Sequence, residues 1–194
     1  MTRPVLQIIS ASTRPGRKGI AVARWVQQLA REHGGFDVEL VDLAEVALPV
    51  LDEPNHPRLQ QYVHQHTKDW SATVRRGDAY VFVTPEYNHS FPASLKNALD
   101  YLSAEWADKP AAIASYGGVS AGLRAATALK PVLAALRMVP VVEAVSVPFF
   151  ARFIDDEDTF VPNAELEAGG KAMLDELARL ATGLRVLRDQ RDAA

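Results

Sequence analysis

The chain has 194 residues, 48% of them hydrophobic, which is length enough for one α/β domain with a sizeable core over residues 1–194. A formal charge of −3 gives no basic excess for a nucleic-acid or membrane surface. There is no cysteine, so disulfides, thiolate catalysis and zinc–sulfur sites are excluded.

The opening MTRPVLQII lacks the long apolar stretch and small-residue cleavage site of a signal peptide, and nothing approaches the ~20 apolar residues that cross a bilayer. The expected address is the cytoplasm. A first strand is predicted over residues 5–9, a compact β-branched run. After a loop rich in Ser, Thr, Arg and Gly comes a helix over 19–33. It carries Ile20, Ala23, Val26, Leu29 and Ala30 on one face and stops at Gly34-Gly35. FDVELVDL at 36–43 alternates with period two and reads as a second strand. A more polar helix follows over 59–76, with Tyr62, Val63, Trp70 and Val74 turned inward.

The third strand, AYVFVT at 79–84, is the most apolar and ends in a Pro-bounded loop. Residues 92–102 form the next helix, with Leu95, Leu99 and Leu102 together, Ser90 as N-cap and Pro92 in the first turn. A fourth strand at 111–115 (AAIAS) leads to a helix over 120–136 that Pro131 should kink or interrupt. The fifth strand, at 139–147, and a helix over 164–187 complete the set, and DQRDAA at the end should fray.

Five strands alternating with five helices predict a doubly wound parallel sheet covered on both faces, three layers in α/β/α order. In such a sheet the ligand site lies outside the carboxyl ends of the strands, where the strand order reverses. That directs attention to the loops after Ile9, Thr84 and Ser115, and all three are unusual in composition.

The first loop, residues 10–19, offers the hydroxyls of Ser12 and Thr13, the cations Arg14, Arg17 and Lys18, and the N-terminus of a helix. Unpaired helix amides and bidentate guanidiniums both suit a phosphate. An ordinary loop with solvated basic residues has the same composition. Neither GxxxxGK[ST] nor GxGxxG can be written there. The second loop, residues 84–92, holds Glu86, Tyr87, Asn88 and His89 between prolines, a set that could border a flat heterocycle or merely cap a helix. In the third, Ser115-Tyr116-Gly117-Gly118, paired glycines permit close backbone approach to a ligand, or a tight turn with none.

STRPGR at 12–17, PEYN at 85–88 followed by SLKNALDYL, and SYGG at 115–118 together resemble the NADPH-dependent FMN reductase family over about residues 4–187, with PEYN and LKNALD the specific part. The resemblance implies a flavodoxin-like fold with strand order 2-1-3-4-5. It implies that Ser12 and Arg14, with Arg17, Lys18 and the amides of Gly19 and Ile20, hold the 5′-phosphate of FMN. Pro85, Glu86, Tyr87 and Asn88 would line the isoalloxazine, and the backbone of Ser115, Tyr116, Gly117 and Gly118 would meet its pyrimidine side. Hydride would pass from NADPH or NADH through FMN to a small-molecule acceptor (a quinone, azo compound, free flavin or metal oxyanion) in a ping-pong cycle with no catalytic side chain. A homodimer or homotetramer is implied, with Trp70, Trp106 and residues 149–160 as candidates for roofing the flavin across the subunit contact.

Other features carry less. His64 and His66, two apart on the predicted helix, should point in different directions and make a poor metal pair. Asp155-Asp156-Glu157-Asp158 lacks calcium-loop spacing and reads as a solvated acidic loop. His89 could touch substrate or serve as a cap. There is no G-x-S-x-G elbow for a hydrolase. The competing functions are a flavodoxin-type electron carrier and a non-catalytic flavin-binding protein. Carriers of that type tend to be strongly acidic and to hold phosphate with hydroxyls and amides, unlike this loop.

Overall fold

A computed structural model describes residues 3–192. Strands β1 (Val5–Ser10), β2 (Asp37–Asp42), β3 (Ala79–Pro85), β4 (Pro110–Tyr116) and β5 (Val139–Pro140) form a parallel sheet in the order β2-β1-β3-β4-β5, as the resemblance implied. A sixth strand, β6 (Val145–Val147), also runs along β4. The helices are α1 (Gly19–His33), α2 (Leu43–Val46), α3 (Gln65–Arg76), α4 (Ala93–Asp100), α5 (Leu123–Ala135) and α6 (Ala164–Asp192).

β3 shows why the sheet is covered on both sides. All seven of its residues are buried, and alternate side chains enter different layers. Val81 and Val83 pack with Val22 and Val26 of α1 and Leu174 and Leu177 of α6. Tyr80 and Phe82 pack with Trp70 and Val74 of α3, Leu95 and Leu99 of α4, and Leu129 of α5. Each large apolar side chain so buried stabilises the fold by about 1.5–3 kcal/mol.

Several expectations need correction. The strand expected at 139–147 is two short ones: Val139 and Val141 donate to β4 and Pro140 turns its amide-less nitrogen to the open edge, but Glu143 has no place on a buried face. The chain bows outward between them, leaving Val142 84% exposed. Pro131 does not break α5: it lies on an exposed face, where the carbonyl it deprives of an amide meets solvent. The helix expected from 59 begins at Gln65, after a 3-10 turn at Pro57–Leu59 that Gln60 ends in the left-handed region (φ 53°). Val63 is exposed rather than inward.

His64 is therefore an extended cap, so helical spacing does not govern the two histidines. Their rings stack at 5.2 Å, and both reach Asp52, His64 at its carbonyl and His66 at its carboxylate. Trp70 and Trp106 are buried in the α3–α5 layer, donating to the carbonyls of Ala98 and Leu99, and are not available to another subunit. The tail expected to fray stays helical to Asp192, and the last two residues lie outside the described range.

At the amino-terminal edge of the sheet, Lys109 is buried just before β4. Its ammonium donates to the carbonyls of Val74 (3.0 Å) and Arg75 (3.5 Å), which end α3, and to the Tyr80 hydroxyl (3.0 Å). Burial, and then the nearby Arg188, push its pKa down to about 7 from an ordinary 10.5. Between those values the unfolded chain binds the proton more readily than the folded one, so this group's contribution to stability rises with pH across that window. Wild-type protein should gain on the order of 1 kcal/mol from pH 7 to pH 9 relative to Lys109→Met. Urea unfolding at the two pH values checks this, and parallel pH profiles would contradict it.

Candidate functional site

The strand register decides where the loops meet. Ser10 lies beside Val83, Pro85 beside Tyr116, and Tyr116 beside Val147. Loops 11–18, 86–92, 117–122 and 148–153 therefore leave the same edge of the sheet. A cleft of about 470 Å³ opens among them, lined by Ser12, Arg14, Arg17, Lys18, Gly19, Pro85, Glu86, Tyr87, Tyr116, Gly117, Gly118 and residues 149–152. That size falls within the roughly 300–1,000 Å³ of small-molecule sites.

In the first loop the three cations separate into different roles. Arg17 is paired with the buried carboxylate of Asp42, which also caps α2 by accepting the Ala44 amide at 3.0 Å. Lys18 reaches Asp158 at 2.6 Å, so one carboxylate of the acidic run is bonded across the cleft wall rather than only solvated. Arg14 is exposed and makes no side-chain bond among the described residues. Arg17 Nε is buried without a partner, and the amides of Lys18, Gly19 and Ile20 are likewise unpaired in the described chain.

Gly19 is required by what lies above it. A Cβ there would fall 1.8 Å from the Tyr116 hydroxyl and 2.4 Å from Cζ, so only glycine lets that ring rest over the first turn of α1. Burial, with Tyr87 beside it, holds the Tyr116 phenol above its ordinary range, so the hydroxyl stays neutral. Ile20 packs against the core on the α1 side and does not line the cleft.

The second loop is a two-residue hairpin. The amide of Tyr87 donates to Ser90 O (2.8 Å) and that of Ser90 to Tyr87 O (3.0 Å), with Asn88 (φ 49°) and His89 (φ 69°) both left-handed as such a turn demands. Tyr87 stands on the cleft wall, its hydroxyl 2.7 Å from Ser12 Oγ. Asn88 and His89 occupy the exposed tip, away from the cleft lining. Ser90 closes the hairpin instead of capping α4, whose N-cap is Pro92.

Glu86 ties this loop to α5. It accepts from Arg124 Nη1 (2.7 Å) and the Arg124 amide (3.1 Å), and that side-chain bond holds its carboxyl below the usual range. A depressed carboxylate stabilises above its ordinary pKa and loses the contribution as pH falls through the folded value. Glu86→Gln should therefore lower Tm at pH 7, with the deficit shrinking as the pH falls below 4. A deficit that does not change with pH would contradict this bridge.

The third loop is braced from within. Ser115 is buried, and its hydroxyl donates to Ala121 O at 2.9 Å, so it shapes the turn and does not line the cleft. The Gly117 amide is taken by Val147 O (3.2 Å), while that of Gly118 is unpaired among the described residues. The carbonyls of Gly118 and Gly117 in turn accept the amides of Phe149 (2.9 Å) and Phe150 (3.1 Å). This strap brings residues 149–152 to the cleft, where the sequence suggested only a subunit contact. Their signal was PFFAR directly after a strand end. Phe150 lies 4.9 Å from the Tyr116 ring, and the Arg152 guanidinium sits 4.5 Å over the ring of Phe149.

Among the described residues no group of three or more His, Asp or Glu is arranged to hold a metal ion, and no helix is long and apolar enough to cross a membrane.

The family model described as NADPH-dependent FMN reductase matches residues 5–152. An NAD(P)H-dependent FMN reductase of Schizosaccharomyces pombe is 40% identical over 149 residues, covering 75% of this chain and 74% of that protein. An NADPH:quinone oxidoreductase of Arabidopsis thaliana is 34% identical over 131 residues, 63% of each chain. Among solved structures, the flavoenzyme FerB of Paracoccus denitrificans, an NAD(P)H:(acceptor) oxidoreductase, superposes with a TM-score of 0.72 at 20% identity, covering 93% of this chain and 98% of that one. The last is a likeness of fold. The match of the family model over most of the chain, with the 40% identity to the yeast reductase, shows that this protein belongs to the NADPH-dependent FMN reductase family of oxidoreductases.

Proposed function

We propose that the cleft holds FMN and that the protein oxidises NADPH or NADH and reduces a small-molecule acceptor: a quinone, an azo compound, free flavin or a metal oxyanion. The observation that carries this reading is the set of unsatisfied donors at one end of the cleft. Among the described residues the Arg14 side chain has no partner, Arg17 Nε is buried without an acceptor, and the amides opening α1 are unpaired. A buried unpaired donor is costly by about 1–3 kcal/mol, and a phosphate supplies the missing acceptors. Ser12, whose hydroxyl now meets Tyr87, adds one more donor.

At the other end the lining suits a flat ring. Tyr87 and Phe149 offer apolar faces, and the unpaired Gly118 amide can meet a polar ring edge, as a donor does where negative charge develops. Bound FMN would supply the two-electron chemistry between nicotinamide and acceptor. The side chains then bind, orient and exclude water, and none is needed as an acid or base. Exposed Val119, Leu123 and Phe149 near the mouth support a homodimer or homotetramer in which a second copy covers the ring.

The test is the visible spectrum of the purified protein loaded with FMN, followed by NADPH added without air. The flavin band should bleach, and a quinone should restore it over many turnovers. Bound flavin that NADPH leaves oxidised would contradict reductase activity and leave an electron carrier or flavin-binding protein.

A further inference from the structure

We propose that Arg152, placed over the Phe149 ring at the lip of the cleft, recognises the 2′-phosphate that distinguishes NADPH from NADH. The inference rests on the reading of the cleft as an FMN and dinucleotide site. Four observations carry it. First, the Arg152 guanidinium is exposed on the cleft lining and has no carboxylate or carbonyl partner among the described residues. Second, its backbone is held in place. Phe149 lies at φ 46°, a conformation non-glycine residues rarely adopt, and is kept there by its bond to Gly118 O and by the Arg152 amide donating to Phe149 O at 2.9 Å. Backbone strain of this kind, held by its surroundings, concentrates at ligand sites.

Third, the other cations on the lining are paired or lie at the other end. Arg17 is bound to Asp42 and Lys18 to Asp158, and Arg14 belongs to the first loop, beside the amides that open α1. Arg152 instead follows Phe149 and Phe150, whose amides bind the Gly118 and Gly117 carbonyls, at the end read as the ring end, where a dinucleotide must enter. In the acidic run that follows, Asp155 accepts the amides of Glu157 and Thr159 and Asp158 pairs with Lys18, and neither bonds Arg152 among the described residues.

Fourth, the chemistry of the pair is specific. A guanidinium stacked on an aromatic ring presents a flat face for a purine and a planar fork for phosphate oxygens. Adenosine 2′-phosphate carries a purine and a dianion one ribose apart. The pyrophosphate is flanked by riboses and offers no adjoining ring.

The test compares wild-type holoprotein with Arg152→Ala and Arg152→Lys. Calorimetric titration with adenosine 2′,5′-bisphosphate and with adenosine 5′-monophosphate reads binding without turnover. Wild-type protein should prefer the bisphosphate, and Arg152→Ala should lose that preference by roughly tenfold or more. Arg152→Lys should keep part of it, since the charge remains but the fork does not. In steady state, the NADPH-to-NADH ratio of kcat/KM should fall by the same factor, chiefly through KM for NADPH. Equal losses for both nucleotides, no loss for either, or a wild-type protein without preference would overturn the assignment. Loss of FMN affinity in Arg152→Ala would overturn it too, by moving the guanidinium to the cofactor. A wild-type protein that takes up no FMN would instead overturn the underlying reading of the cleft, and this inference with it.

Discussion

Arg14→Ala should weaken FMN binding by roughly 10- to 100-fold, about 1.5–3 kcal/mol, as expected for losing a charge-assisted contact to phosphate. The expectation singles out Arg14 from three neighbouring cations because the other two are engaged, Arg17 with Asp42 and Lys18 with Asp158. Arg17→Ala acts differently. It removes the partner of a buried carboxylate that also caps α2, so its first effect is on stability. Fluorescence titration of the apoprotein with FMN and with riboflavin separates these roles. Arg14→Ala should lose affinity for FMN and little for riboflavin, which has no phosphate. Unchanged FMN affinity would remove Arg14 from the phosphate site.

Gly122→Ala should destabilise the protein by about 2–4 kcal/mol and lower Tm by roughly 5–15 °C. Gly122 has φ +78°, and a Cβ there would lie 2.9 Å from Ser115 Cβ and from both the nitrogen and the oxygen of Tyr116. Two of those neighbours are backbone, at the end of β4, and cannot rotate aside. The strain would also reach the cleft, since Tyr116 lies over Gly19 and its ring packs at a tilt against Phe150. Gly118 is the control. It sits in the same loop, but nothing lies within 4 Å of its Cβ position, so Gly118→Ala should change stability by less than about 0.5 kcal/mol. Thermal unfolding of the two variants decides the matter, and equal effects would contradict the account of this turn.

How much of this was readable in the chain depended on whether a signal was local. α1 runs over the predicted residues because its apolar spacing and the Gly34 stop act within one turn of themselves. The parallel sheet and the gathering of three loops at one edge follow from apolar runs alternating with helices, which survive small errors of boundary, whereas the strand order came from the resemblance carried by PEYN and LKNALD. Residues 59–64 misled because their fate is set at a distance: the Tyr62 hydroxyl donates to Glu105, and His64 and His66 turn to Asp52. The division of labour among Arg14, Arg17 and Lys18 was hidden for the same reason, since Asp42 and Asp158 are remote in sequence. The side chains of Ser115, Ile20 and Asn88 do not line the cleft, because an internal bond, the core and a turn tip hold them, while the Ile20 amide remains among the unpaired donors that open α1. Phe149 and Arg152 were passed over as site residues because only the hydrogen bonds of Phe149 and Phe150 to the Gly117–Gly118 turn bring this segment to the cleft.

The most direct test of the shared cleft is a crystal structure of the protein soaked with FMN. The phosphate should lie among Ser12, Arg14 and the amides that open α1, with the ring between Tyr87 and the Gly118 turn. FMN bound on another face, or a cleft that stays empty at saturating FMN, would contradict the account.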